Sequence, residues 1–150
     1  MKHFITSILF LNCYLLHAQT QVGSDIDGEA ADDQSGWSVS INSAGDRVAI
    51  GADRNDGTGS NAGHVRVYEY SNSSWSQLGS DIDGEAAEDR SGRSVSINSA
   101  GNRVAIGAHG NDGTGTGAGH VRVYEYSNSS WTQLGSDIDG EAAYDASGHS

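Results

Sequence analysis

Five acids crowd into nine positions near the start of this 150-residue chain: Asp25, Asp27, Glu29, Asp32 and Asp33. The first three stand at alternate positions. Oxygen ligands at this density suit Ca²⁺, a hard cation that takes about 6–8 of them. Gly28, however, falls in the wrong place for an EF-hand loop, and acids clustered on a polar stretch are ordinarily solvated. We therefore read the segment as an acidic, solvated connector and assign no metal ligand, with Ca²⁺ as the one cofactor to be tested. Asn55-Asp56-Gly57-Thr58-Gly59 and Asn111-Asp112-Gly113-Thr114-Gly115 also offer oxygens, but Asx-Gly pairs are foremost turn formers. His64 and His120 open alternating runs and are read as structural.

Catalytic chemistry finds little support. After residue 18 the chain has neither Lys nor Cys, which removes two nucleophiles. No Ser lies in a Gly-x-Ser-x-Gly elbow. Paired carboxylates occur only on the connector, whereas a glycosidase needs two held at a fixed separation.

These residues recur. GSDIDGEAA begins at Gly23, Gly79 and Gly135, a period of 56. Residues 23–78 and 79–134 differ at 9 of 56 positions, and 135–150 begins a third copy. A fixed period of about 50 residues marks a stacked or circular repeat. The differences cluster: Asp32/Glu88/Tyr144, Gln34/Arg90/Ala146 and Trp37/Arg93/His149 in one stretch, and Asp53/His109, Arg54/Gly110, Ser60/Thr116 and Asn61/Gly117 flanking a long loop. Loops at strand ends present ligands, and Trp, Arg, His and Tyr suit contact with a partner. Trp37, Arg93, His149 and Tyr144 are thus the candidate ligand-binding residues, against the alternative that exposed loops drift after duplication.

The elements that must position them are short strands. Ser38-Val39-Ser40-Ile41 alternates; Asn42-Ser43-Ala44-Gly45-Asp46 is a tight turn; Arg47–Gly51 returns antiparallel. After the loop 52–63 comes the clearest strand, His64–Tyr70, with Val65, Val67 and Glu69 on one face and His64, Arg66, Tyr68 and Tyr70 on the other. Ser71-Asn72-Ser73-Ser74 turns the chain into a fourth strand. The expected strands are 37–41, 47–51, 64–70 and 75–82, a meander of the kind found in a propeller blade. Residues 20–26 match the fourth strand and are expected to form one without the preceding three.

Ser35-Gly36-Trp37-Ser38-Val39-Ser40 with Val48-Ala49-Ile50-Gly51-Ala52, and their counterparts at 91–96 and 104–108, resemble the FG-GAP repeat, the blade of integrin-α-type β-propellers. Gly63-His64-Val65-Arg66-Val67-Tyr68 and Gly119–Tyr124 look like that family's third strand. The resemblance implies an all-β fold of four-stranded antiparallel blades, two complete copies plus partial flanking ones. The family's Phe before Gly is replaced by Ser35, Ser91 and Ser147, and its Pro after Gly-Ala by Asp53 and His109. Its calcium-binding run of carboxylates in the first hairpin is missing from 42–46 and 98–102. Two full copies cannot close a ring of four or more blades, so the chain reads as a fragment, a truncated product or one piece of a multichain ring that self-associates.

Composition narrows the partners. The net charge is -12, which repels nucleic acid and anionic lipid. Hydrophobic residues make up 35%, below the ~45–50% of an ordinary globular domain, with Ser, Gly, Asn and Asp in their place. Lys2 and His3, the apolar run Phe4–Leu11 and Ala18 read as a secretory signal peptide over 1–18. That run is shorter than the ~20 residues of a membrane span, so no membrane insertion is expected once it is removed. Cys13, the single cysteine, lies within it. Asn72 and Asn128 head glycosylation sequons. The expected function is a secreted or cell-surface, non-catalytic binding or adhesion module for a protein or glycan. A purely structural surface repeat is the alternative, and a propeller hydrolase or lyase ranks last.

Overall fold

The computed structural model describes residues 19–150; the expected signal peptide lies outside them. Ten strands and no helix make up the described residues. They form two antiparallel sheets. The first holds β1 (Ser38–Ile41), β2 (Arg47–Ala52), β3 (His64–Ser71), β4 (Ser74–Gln77) and β5 (Ile82–Asp83). The second repeats them as β6 (Ser94–Ile97), β7 (Arg103–Ala108), β8 (His120–Ser127), β9 (Ser130–Gln133) and β10 (Ile138–Asp139). β1, β2 and β3 lie side by side, and β4 and β5 share the free edge of β3 in succession.

The hairpins follow from local chemistry. In the first, Asn42 Oδ1 accepts from the backbone N–H of Asp46 and Arg47, closing the turn. In the second, Ser71 pairs with Ser74, leaving Asn72 and Ser73 as a two-residue loop with φ of 49° and 64°. Positive φ at both centres defines the type I′ turn, whose twist matches its strands.

Two expectations need correction. The fourth strand is not continuous over 75–82. It breaks between Gln77 and Ile82, where Gly79 takes φ 78°, and the Leu78 N–H still donates to Val67. Residues 20–26 form no strand at all. A strand needs a ladder partner, and the segment instead lies against Trp75, whose indole N–H donates to Val22 O at 2.9 Å.

The sheets stack face to face. Register puts Ser38, Ser40, Ala49, Gly51, Val65 and Val67 on one face of the first sheet. Against it lies the opposite face of the second, and Ala49, Val65, Val67, Ile97, Val104 and Ile106 make one buried cluster between them. The packing explains a contrast between identical residues: Ile97 is 8% exposed under this seam, while its counterpart Ile41, on the outer face, is 57% exposed. Trp131 pins the seam by donating to Leu78 O at 2.7 Å.

The seam has a close point made of backbone. Ser38 Oγ donates to Gly92 O at 2.7 Å, and Ser94 Oγ to Gly148 O at 2.9 Å. A methyl group on Gly51 would overlap Gly92 O and Ser38 Oγ, and Gly107 stands in the same relation to Gly148. A backbone obstacle cannot swing aside. Gly51→Ala is therefore expected to cost about 3 kcal/mol, in the range of core overpacking. Gly45→Ala, with φ 73° but open space around it, should cost about 1 kcal/mol, the penalty of left-handed backbone alone. Urea melts of both variants check this, and equal losses would rule out the backbone contact as the limiting constraint.

Candidate functional site

The start of β1, the end of β2, the start of β3 and β5 meet at one end of the first sheet, because Ser38 pairs with Gly51, Gly51 with Val65 and His64 with Asp83. The long loop and the connector between sheets open at this same end. Two groups of side chains gather there.

The first is built from the positions that differ between copies. The Arg93 guanidinium stacks over the Trp37 ring, 4.0 Å from its centroid. It also donates to Asp53 Oδ2 at 3.2 Å. His149 meets His109 edge to face at 5.2 Å. Trp37, Arg93 and His149, which occupy one position in three successive copies, thus fall into two contact groups, Trp37 with Arg93 over the buried Asp53 and His149 with His109. These lie near enough for Arg93 and Asp53 to act on His109, and together make one ridge. Trp37 is 48% exposed. Tyr144 is the most exposed of the large hydrophobic side chains among the described residues, at 78%, and shares no hydrogen bond, ion pair or ring contact with the other three candidates. It sits beside the other loop flank, its N–H donating to Thr116 O. Tyr144 and its counterparts Asp32 and Glu88 all have φ of 66–70°. Side chains in that left-handed region cost about 1–2 kcal/mol, and such strain gathers at binding surfaces.

Asp53 is fully buried, and its Oδ1 has no hydrogen-bond partner. Its charge is carried by Arg93 alone among the described residues. Burial, with the nearby Arg93, His149 and Arg90, holds His109 below the ordinary histidine pKa, against a smaller opposing pull from Asp53.

The second group was not foreseen. On β3, His64, Arg66 and Tyr68 alternate onto the face opposite Val65 and Val67, as expected, but that face is also buried: His64 is 2% exposed and Arg66 7%. Two carboxylates close over them. Glu29 comes from the connector and Asp81 from the break between β4 and β5. His64 Nδ1 lies 3.8 Å from Glu29 Oε2 and 3.7 Å from Asp81 Oδ2. Arg66 Nη1 lies 3.5 Å from the other Glu29 oxygen, and Nη2 donates to Asp27 O at 2.8 Å. The second sheet rebuilds the group with Glu85, His120 and Asp137: His120 Nδ1 to Asp137 Oδ2 is 3.6 Å, and Arg122 Nη1 to Glu85 Oε1 is 3.3 Å. Burial raises the pKa of Tyr68 and Tyr124 alongside, with Arg66 and Arg122 opposing it. In sequence, the alternation of His64 and Arg66 was visible. The convergence was not, because it depends on the break at Gly79.

The acidic connector is therefore neither one site nor wholly solvated. Asp25 accepts from the Gln21 side chain, Glu29 faces His64, and Asp33 is buried, accepting from Asn55 Nδ2 at 2.8 Å. Asp89 repeats that bond with Asn111 at 3.1 Å. Asn55 and Asn111 in turn accept from the N–H of Gly57 and Gly113, so both loop motifs are Asx turns.

Compared with models of known protein families and with curated proteins, the chain matches none.

Removing Arg93 leaves Asp53 buried and unpaired, a loss of about 3 kcal/mol by the usual cost of orphaning a buried charge. Arg93→Ala should therefore melt well below the parent, and Asp53→Asn in the same chain should recover most of the loss. A single variant as stable as the parent would refute the pairing. Acid should also weaken the fold through His109. Its folded pKa lies below the unfolded value near 6.5, so the unfolded chain takes up the proton first. Stability is full above pH of about 6.5 and falls as pH drops below it. A urea titration between pH 7.5 and 5 should show a shallower fall for His109→Gln than for the parent.

Proposed function

We propose that the chain is a secreted or cell-surface binding module of the FG-GAP type, whose sheets are propeller blades and whose ligand face is the end carrying the variable loops. Its ligand is a protein or a glycan, and it performs no catalysis. The observation that carries this reading is the ridge from Trp37 through Arg93 to His109 and His149. Nine positions differ between two copies of 56 residues, and several of them converge there on aromatic and cationic contacts. Neutral drift alone gives no reason for such convergence. Exposed Trp and Arg are the side chains that carry binding energy most often. The stacking of two sheets in the same sense, one face on the opposite face of the next, supports the blade reading and the completion of a ring by further blades or a second copy.

The near-identity of the copies favours one other reading, a structural surface repeat without a ligand. A glycan array and a pull-down from extracellular matrix, each run with the full chain, separate the two. Trp37→Ala should weaken binding about tenfold or more, a hot-spot loss, with the melting temperature unchanged because Trp37 is half exposed. Tyr144→Ala should weaken binding less. Retention of nothing by the parent, or equal retention by parent and Trp37→Ala, would leave the structural repeat as the better reading.

A further inference from the structure

We propose that Glu29, His64 and Asp81 form a binding site for a divalent transition-metal ion of the Zn²⁺ class, repeated by Glu85, His120 and Asp137. The inference stands apart from the ligand ridge and uses none of its residues.

The distances carry it first. One ligand atom from each of the three residues lies within 4.8 Å of the others, in both copies. The imidazole-to-carboxylate separations of 3.6 to 3.8 Å are too long for hydrogen bonds. They are the separations of two ligands sharing one ion at bonds of about 2.0–2.2 Å. The histidine carries it second. His120 is 1% exposed, and neither of its ring nitrogens has a hydrogen-bond partner. A buried imidazole 3.6 Å from Asp137 and within 4.8 Å of Glu85 without bonding either is missing a partner, and burying a polar group unsatisfied is costly. An ion bound through Nδ1 supplies that partner.

The donor set selects the ion. One imidazole with two carboxylates suits Zn²⁺ and its first-row neighbours, whereas Ca²⁺ takes oxygen ligands. The arginine does not displace the ion. Arg66 lies nearest Glu29 Oε1, while the imidazole lies nearest Oε2, and so orients the carboxylate as outer partners do; Arg122 holds Glu85 Oε1 in the second copy. With both acids ionised and the imidazole neutral, each group carries one net negative charge after its arginine is counted. The guanidinium should hold affinity at the micromolar level. Glu29 and Asp81 side chains are 44% and 28% exposed, so the remaining coordination positions open to water or to a ligand oxygen.

The test is metal stoichiometry on the full chain, stripped with chelator and dialysed against Zn²⁺, Co²⁺ or Ca²⁺ separately. The expected result is two Zn²⁺ per chain, one in His120→Gln and none in the His64→Gln, His120→Gln double variant. Co²⁺ should give visible absorption bands that the double variant lacks. If the histidine variants fail to fold, Asp81→Asn and Asp137→Asn, at part-exposed positions, replace them with the same expected counts. Absence of Zn²⁺ binding at micromolar free ion, undiminished binding in folded variants, or binding of Ca²⁺ alone would each overturn the proposal.

Discussion

The architecture depends on how closely two pieces of backbone can approach. Gly51 and Gly92 touch where the connector crosses the first sheet, and Gly107 and Gly148 touch in the same way in the second. With no side chain between them, the connector lies directly on the strands, and a serine hydroxyl from the edge strand ties it down. That approach sets the height of one sheet above the next. It seats Ile97, Val104 and Ile106 on Ala49, Val65 and Val67, and brings Arg93 within reach of Trp37 and Asp53. A larger residue at the glycines would lift the second sheet and undo all of these at once.

Much of this was legible in the chain. The alternation of Ser38–Ile41 and His64–Tyr70 named the strands and their faces, since a residue pattern of period two can be read without knowing the neighbours. The tight turns at Asn42 and Asn72 were legible for the same reason: their chemistry is local. The clustering of copy-to-copy differences pointed to Trp37, Arg93 and His149, and these do line up. Tyr144 was marked by the same signal yet stands apart, because sequence proximity does not say which side of a loop a residue occupies.

What could not be read depends on partners distant in sequence. Val39 and Val95 are the same residue in the same strand, but only the second has a sheet beneath it. The acids of the connector look alike in composition. Whether one is solvated, like Asp32, or buried on an asparagine, like Asp33, is decided by a loop 22 positions away. Asp81 was read as part of an unbroken strand, and the turn at Gly79 instead aims its carboxylate at His64.

That break has a consequence for how the copies join. Counted from Gly23, Gly79 and Gly135, the repeats run 23–78 and 79–134, but the folded sheets run from 38 to 83 and from 94 to 139. The repeat so counted and the folded sheet are out of phase, the sheet ending 5 residues past the repeat. Each copy contributes the last strand, and the aspartate beside the buried histidine, to the sheet of the copy before it. Copies are thus dovetailed rather than abutted. A single copy ending at Leu78 would lack its closing strand and the Asp81 carboxylate beside its histidine, with Glu29 alone left over the ring.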